Sequence, residues 1–349
     1  MNLALLSLLV AAARASERSH LLTQHTRVDY HSQVDKQAAS IVFVHSGANA
    51  SSFPDYMATA VKQAVRWNPN AAVRVVVPQA VMTDATLFGR MFSQQFPENG
   101  VYWRSKVQVT CVEDLPVSQL RKSFMSATSL DTNFDAGFWK NTFERLFVLA
   151  DAMQHWGIHE AFHLENDNMI YTDLSSHLNA FRSLYPGMAC TNIGHGYVTA
   201  GLLYVHRLSA LTDFLKFSLE DPMGTDMAAL AKYADAKGEQ GLGLLPVEPF
   251  QLNKTRNDMK LSKVLGGVFD GAAHGQYLGG ANPKHHPYRA GWINSWSGIH
   301  GYKYTWATDG ASGLRRVYLS TTMPEFAGVK SVPLLLVHVH CKQLSFFES

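Results

Sequence analysis

The chain has 349 residues, 46% of them hydrophobic and 17% charged, with a formal net charge of +2. That is enough apolar material for a real core, and it excludes a disordered polyelectrolyte. No block of Lys or Arg supplies the electrostatic footprint of a nucleic-acid binder.

The N-terminus, "MNLALLSLLVAAARASERSH", carries an apolar run, Leu3–Ala13, too short to cross a bilayer, followed by the small-x-small triplet Ala13-Arg14-Ala15. It reads as a signal peptide over residues 1–15, although no Lys or Arg precedes the run; a buried N-terminal helix is the competing reading. Residues 16–39 are a polar leader, and one domain is expected over 40–349. The sequons Asn49-Ala50-Ser51 and Asn253-Lys254-Thr255 agree with the secretory pathway, as a lumenal (ER or Golgi) or secreted protein. No later apolar run is long enough for a transmembrane helix, so no stable membrane anchor is expected. Cys111, Cys190 and Cys341 allow at most one disulfide, and buried thiols are the default.

Ile41–Val44, ending in a Ser-Gly-Ala-Asn loop, reads as a buried parallel strand. Met57, Val61, Ala64 and Val65 predict a helix within 55–67, "AAVRVVVP" (71–78) predicts a second strand, and "KVQVTCVED" (106–114) a third after a helical link at "MFSQQFP". The stripe Phe143, Leu146, Phe147, Ala150 and Met153 predicts a helix over 138–158, with Gly157 at its C-cap. It leads into Ala161–Leu164. A strand at 200–206 and helices at 209–219 and 225–234 follow. This alternation predicts an α/β fold, a mostly parallel central sheet flanked by helices. The segment 264–298 is rich in Gly, Asn, His and aromatics and reads as a binding loop region. The chain closes on "VPLLLVHVHCK", a strand whose alternation puts His338, His340 and Lys342 on one face.

The chemistry concentrates at "AFHLENDNMIYTDL" (161–174), where a buried run stops at Glu165 and Asp167. Carboxylates are rarely buried without a cation. Residues i and i+2 of an extended chain point the same way, so both can face one divalent ion at the carboxyl end of a strand. The twelfth residue from Glu165 is Ser176, which excludes an EF-hand. Two carboxylates with open positions suit Mn²⁺ or Mg²⁺ shared with a diphosphate. A solvated strand end explains the same residues without a metal.

A strand ending in acidic-x-acidic, "LENDN", after an N-terminal first strand resembles the metal motif of nucleotide-sugar glycosyltransferases with the GT-A fold. "HLENDNMIY", "FDGAAHGQYLGG" and "HVHCK" are similar to one branch of such enzymes, over roughly residues 40–342. The resemblance implies a nucleoside-diphosphate sugar as donor and a glycan or other hydroxyl compound as acceptor. It implies Asp167 as the main metal ligand, Glu165 at the metal through water or at the ribose, His340 as a further ligand and Lys342 at a phosphate oxygen. Glu in place of the commoner first Asp leaves direct coordination by Glu165 open. His45, Ser46 and Gly47, opening the loop after the first strand, would hold base and ribose, and Arg145 would reach the nucleotide unless it is an ordinary surface Arg. Asp270 is the first candidate for the base that deprotonates the acceptor, and Asp226, at a helix start, the second. Tyr277, Trp292 and Trp296 would stack on acceptor sugars or lie in the core. The competing functions are a metal-dependent phosphohydrolase, which needs more clustered Asp and His ligands, and a secreted carbohydrate-binding protein, a class that is usually all-β.

Overall fold

Ser40–Val44 (β1, "SIVFV") and Ala72–Val77 (β2, "AVRVVV") are built mainly of β-branched residues and buried on both faces, the pattern of strands inside a helix-covered sheet. The computed structural model describes residues 38–47, 53–83, 105–130, 137–194, 197–220, 224–250, 258–282, 284, 287–293, 301–323, 326, 328 and 330–349. The signal peptide, most of the leader, both sequons, the link at 91–97 and Trp296 lie outside them. Residues Ala39–Ser349 form one compact unit.

The central sheet adds Val107–Cys111 (β3), Ala161–Leu164 (β4), Met188–Gly194 (β6), Tyr197–Val205 (β7) and Leu242–Leu245 (β8), in the order β3-β2-β1-β4-β7-β6-β8. β1 runs parallel to β2 and to β4, with Ile41 opposite Phe162 and Phe43 opposite Leu164. β7 runs antiparallel to both its neighbours, so the sheet is mixed but mostly parallel.

Helices cover both faces. Phe138–His155 (α4) starts after Gly137 and ends at Gly157, both at positive φ (82° and 66°). The Gly157 amide donates to the Gln154 carbonyl and the Ile158 amide to Met153, so the last turn is capped as its glycine predicts. Its stripe of Phe143, Leu146, Phe147 and Met153 packs with Val42, Val44 and Leu203 of the sheet. Each such fully buried side chain contributes about 1.5–3 kcal/mol. Leu208–Glu220 (α6) and Asp226–Gly241 (α7) complete that face. On the other, Met57–Trp67 (α1) and Leu174–Leu184 (α5) pack with Ile41, Phe43 and Phe162.

A second sheet, absent from the sequence reading, joins Tyr302–Thr308 (β10), Arg315–Thr321 (β11), Val332–His338 (β12) and Asn168–Ile170 (β5) in that order, with Val268–Phe269 (β9) beside β12. The chain therefore passes from one sheet to the other between Leu164 and Asn168. The described part of the 264–298 segment holds the end of helix Asp258–Leu265 (α8), then β9 and helix Ala273–Gly279 (α9), elements its composition does not suggest. Cys190 and Cys341 are buried free thiols and Cys111 a half-buried one. Among the described residues no helix is long and apolar enough to cross a membrane.

Candidate functional site

Glu165, Asn166 and Asp167 form the turn between the sheets. The Glu165 amide donates to Gly201 of β7, and the Asp167 carbonyl accepts from Val339, just past β12. Backbone bonds to both sheets thus fix where the two carboxylates lie. Both face inward.

Asp167, 5% exposed, receives two cationic groups at one oxygen. His338 Nε2 lies 3.1 Å from Oδ2, and the Lys342 ammonium donates to the same atom. His338 Nε2 is also 3.7 Å from Glu165 Oε2. Arg145 of α4 donates to Glu165 Oε1 and lies 3.2 Å from Asp226 Oδ2, at the first turn of α7. Oxygens of Glu165 and Asp167 and a ring nitrogen of His338 all lie within 4.8 Å of one another. Two carboxylates and one imidazole at that separation fit a divalent cation such as Mn²⁺, and the carboxylates equally suit Mg²⁺.

The electrostatics follow from burial and pairing. Burial alone would raise the Asp167 pKa, but the charges of His338 and Lys342 hold it well below the usual carboxylate range. Burial works against charge on His338, Lys342 and Arg145 as well, yet the facing carboxylates raise all three. Asp226 is raised, chiefly by burial and partly by Glu165, against the pull of Arg145.

Lys342 reaches Asp167 by a route other than strand alternation. β12 ends at His338; the His340 amide turns back to the His338 carbonyl and the Lys342 amide to that of Val339, and Lys342 takes a left-handed φ of 64°. A non-glycine residue held there is strained and over-determined by its surroundings. The same turn separates the two histidines. His340 was the expected ligand, but its Nδ1 accepts the Asn282 amide at 2.9 Å, and the imidazole grouped with the carboxylates is that of His338.

Asp270 is corrected too. It is 0% exposed, and its oxygens accept the amides of His274, Gly275 and His338 at 2.7–3.1 Å. A carboxylate committed to three amides and sealed from solvent ties α9 to β12 and is not placed to deprotonate an acceptor. Asp226 does join the cluster, as the second anchor of Arg145, and its Oδ1 lies 3.5 Å from Thr142 Oγ1. Arg145 itself is an inward ion-pair bridge rather than a surface residue, its side chain 12% exposed.

His45, Ser46 and Gly47 follow the carboxyl end of β1, and the parallel register puts that end beside the Glu165 turn. The His45 ring meets Phe53 edge-on at 5.1 Å, and burial pushes its pKa down to about 4. Ser46 donates to the Asn141 carbonyl of α4 at 2.9 Å. Tyr277 stacks on Tyr304 at 4.9 Å and Trp292 on Tyr288 at 4.0 Å. His163, in β4, is a buried residue the sequence reading passed over. It is 0% exposed with Nδ1 3.0 Å from the Val42 carbonyl, and burial, aided by Arg145, lowers its pKa to about 3.

No protein-family model matches the chain, and no curated protein is similar to it in sequence. Solved structures similar to it include mouse Xyloside xylosyltransferase 1 in its apo form, at 12% identity over 60% of this chain and 85% of that one, TM-score 0.42. The PaToxG Glycosyltransferase is 10% identical over 58% of this chain and 70% of that one, TM-score 0.39. A Cytidylyltransferase from Leptospira borgpetersenii serovar Hardjo-bovis (strain JB197) is 11% identical over 61% of this chain and 77% of that one, TM-score 0.31. The chemistry of the site is therefore read from its own side chains.

Proposed function

We propose that this chain is a metal-dependent glycosyltransferase of the GT-A kind, moving a sugar from a nucleoside-diphosphate sugar to a hydroxyl of a glycan, protein or lipid in the secretory lumen or outside the cell. The observation that carries the reading is the meeting of Glu165 and Asp167 with His338 and Lys342, the last lying 175 positions from Asp167 in sequence, at the turn that ends a central strand. The "LENDN" and "HVHCK" segments that suggested this chemistry in the sequence supply all four residues.

A divalent cation held by Asp167, Glu165 and His338 would supply positive charge opposite the diphosphate as the sugar–phosphate bond breaks. Lys342 adds a second, permanent positive charge at the same carboxylate. Arg145, braced by Asp226, fixes the Glu165 carboxylate so that it need not reorganise. His45, Ser46 and Gly47 would meet the nucleoside at the adjacent strand end. The test is incubation of the full chain with Mn²⁺ and a panel of nucleotide sugars, with acceptor sugars added. Release of nucleoside diphosphate that stops on chelation is expected. Release of inorganic phosphate instead would make it a phosphohydrolase, and no release from any donor would sink the transferase reading.

A further inference from the structure

Of the aromatics picked out in the sequence, Tyr277 and Trp292 have different surroundings. Tyr277 is half-buried and stacks on Tyr304, whose hydroxyl lies 2.9 Å from His274 Nδ1, so its ring belongs to an interior network. Trp292 is stacked on Tyr288 instead, with centroids 4.0 Å apart and planes 2° from parallel. Tyr288 is 39% exposed, and Arg289, Ala290, Gly291 and Ile293 around the pair are exposed as well. Core packing does not explain two large rings laid face to face on an exposed loop.

The backbone under the pair is fixed at several points. The Ala281 amide donates to the Tyr288 carbonyl at 3.0 Å, the Gly291 amide to the Tyr277 carbonyl at 2.7 Å and the Trp292 amide to the Arg289 carbonyl at 3.2 Å. Gly280 has φ 89°, and a Cβ there would lie 2.7 Å from the Tyr288 carbonyl oxygen, so the close approach of the two loop arms needs glycine. Asn282 donates its amide to His340 Nδ1, and the His340 ring lies 6.0 Å from that of His338. His340 therefore ties the aromatic loop to the end of β12 that carries His338 into the carboxylate cluster.

We propose that Tyr288 and Trp292 form an acceptor subsite, an aromatic platform on which a sugar ring stacks, so that the acceptor is a glycan rather than a peptide or lipid hydroxyl. This rests on the transferase reading given above and narrows its acceptor. An aromatic face carries partial negative charge, and the axial C–H bonds of a pyranose turn partial positive charge toward it. Each ring is already ordered against the other, so little side-chain freedom is lost on binding. The donor's nucleoside is assigned to the end of β1, whereas this loop is tied to the end of β12 in the other sheet, which leaves the platform to the second substrate. In the transfer, an acceptor hydroxyl oxygen bonds to the anomeric carbon as the bond from that carbon to the diphosphate oxygen breaks. The diphosphate leaves with the electron pair, and the hydroxyl proton passes to solvent.

The test compares wild type, Tyr288→Ala and Trp292→Ala in the full chain with Mn²⁺ and the donor found active in the panel. The acceptors are methyl glycosides of glucose, galactose, xylose and N-acetylglucosamine. In each variant the KM for the glycoside is expected to rise about 10-fold, the loss of one ring stack, while the KM for the donor stays at the wild-type value. Trp292→Phe, which keeps a ring, should recover part of the loss. A rise in donor KM instead would make the pair a nucleoside platform and overturn the proposal. An unchanged glycoside KM in both alanine variants overturns it too, and so does transfer to a peptide or lipid alcohol but to none of the glycosides; in both cases the transferase reading stands. If wild type turns over no donor, that reading falls and the acceptor role with it. A second measurement does not depend on the alanine variants. In protein labelled with 5-fluorotryptophan, the ¹⁹F signal of Trp292, assigned by its loss in Trp292→Phe, should shift when the best accepted glycoside is added. A Trp292 signal unmoved at saturating glycoside refutes the proposal even if both alanine variants unfold.

Discussion

Asp167 and Asp270 are both buried aspartates, and their surroundings give them opposite fates. Asp167 faces two cationic side chains; Asp270 faces three backbone amides. Asp167→Asn should therefore reduce turnover roughly 10²-fold or more, as loss of a principal electrostatic stabiliser does. From sequence alone this near-isosteric change at a strand end would cost little stability. The structure alters that expectation, because it strands Lys342 and His338 near a site they were neutralising. A loss of about 2–4 kcal/mol is expected, read by urea melts of metal-free protein, with kcat then measured well inside the folded range. Asp270→Asn should show the reverse, a lower melting temperature with kcat per folded molecule unchanged, because one acceptor becomes a donor facing an amide. Activity lost in Asp270→Asn at full stability would restore Asp270 as a base.

At the scale of elements, the last strand is held by a near-contact with the helix before it. An added Cβ on Gly275, in α9, would fall 1.9 Å from the His338 carbonyl oxygen, a backbone atom that cannot rotate away. Gly275→Ala should cost about 2–3 kcal/mol, the upper range for overpacking, and weaken Mn²⁺ binding by displacing His338; a variant with the wild-type melt and metal affinity would show that α9 and β12 are not rigidly set. That helix was invisible in the sequence for a definite reason. Its own seven residues, "AHGQYLG", include two glycines, and the residue before it, Ala272, has φ 84°. Its first amides are taken by Asp270, just before it, and that carboxylate is held in turn by the amide of His338, 68 positions away, a partner no local pattern encodes. The elements that were legible, β1, β4 and α4, carry their signal locally, as unbroken apolar runs or a helical stripe. β5 has only three residues, and nothing in "NMI" says that it belongs to another sheet. The site divides the same way. The carboxylates, Lys342 and a C-terminal histidine could be read from "LENDN" and "HVHCK", but alternation puts His338 and His340 on one face, and only the end of β12 at His338 distinguishes them.

The whole molecule carries neutral histidines in its interior, and these set its response to acid. His45 and His163 have folded pKa values lowered from 6.5 to about 4 and about 3. The unfolded chain therefore takes up protons first as pH falls below about 6.5, and the folded state is penalised progressively toward pH 4. Stability is full above that window and declines within it by up to about 2.7 kcal/mol per pH unit, the two-proton limit. His338 does not offset this decline. Its raised pKa gives stability already complete below 6.5, which is lost only as pH rises through the folded value. Urea midpoints at pH 7.5, 6 and 5 should fall steadily in wild type and stay flatter in a His45→Asn, His163→Asn double variant. Parallel declines in both would mean that other groups govern the acid response.

The turn at Glu165–Asp167 has a mechanical consequence. Arg145, Glu165 and Asp226 belong to the central sheet and its helices, whereas Asp167, His338 and Lys342 belong to the smaller sheet or its edges. Those ion pairs each lie on one side of a seam that the 3.7 Å approach of His338 to Glu165 crosses, and an ion taken up between Glu165 and Asp167 would pull on both sides of it at once. Amide exchange should slow in β4 and β12 together when Mn²⁺ is added, although the two strands share no hydrogen-bond ladder. In that sense a cation bound there would act as a fastener as well as a reagent.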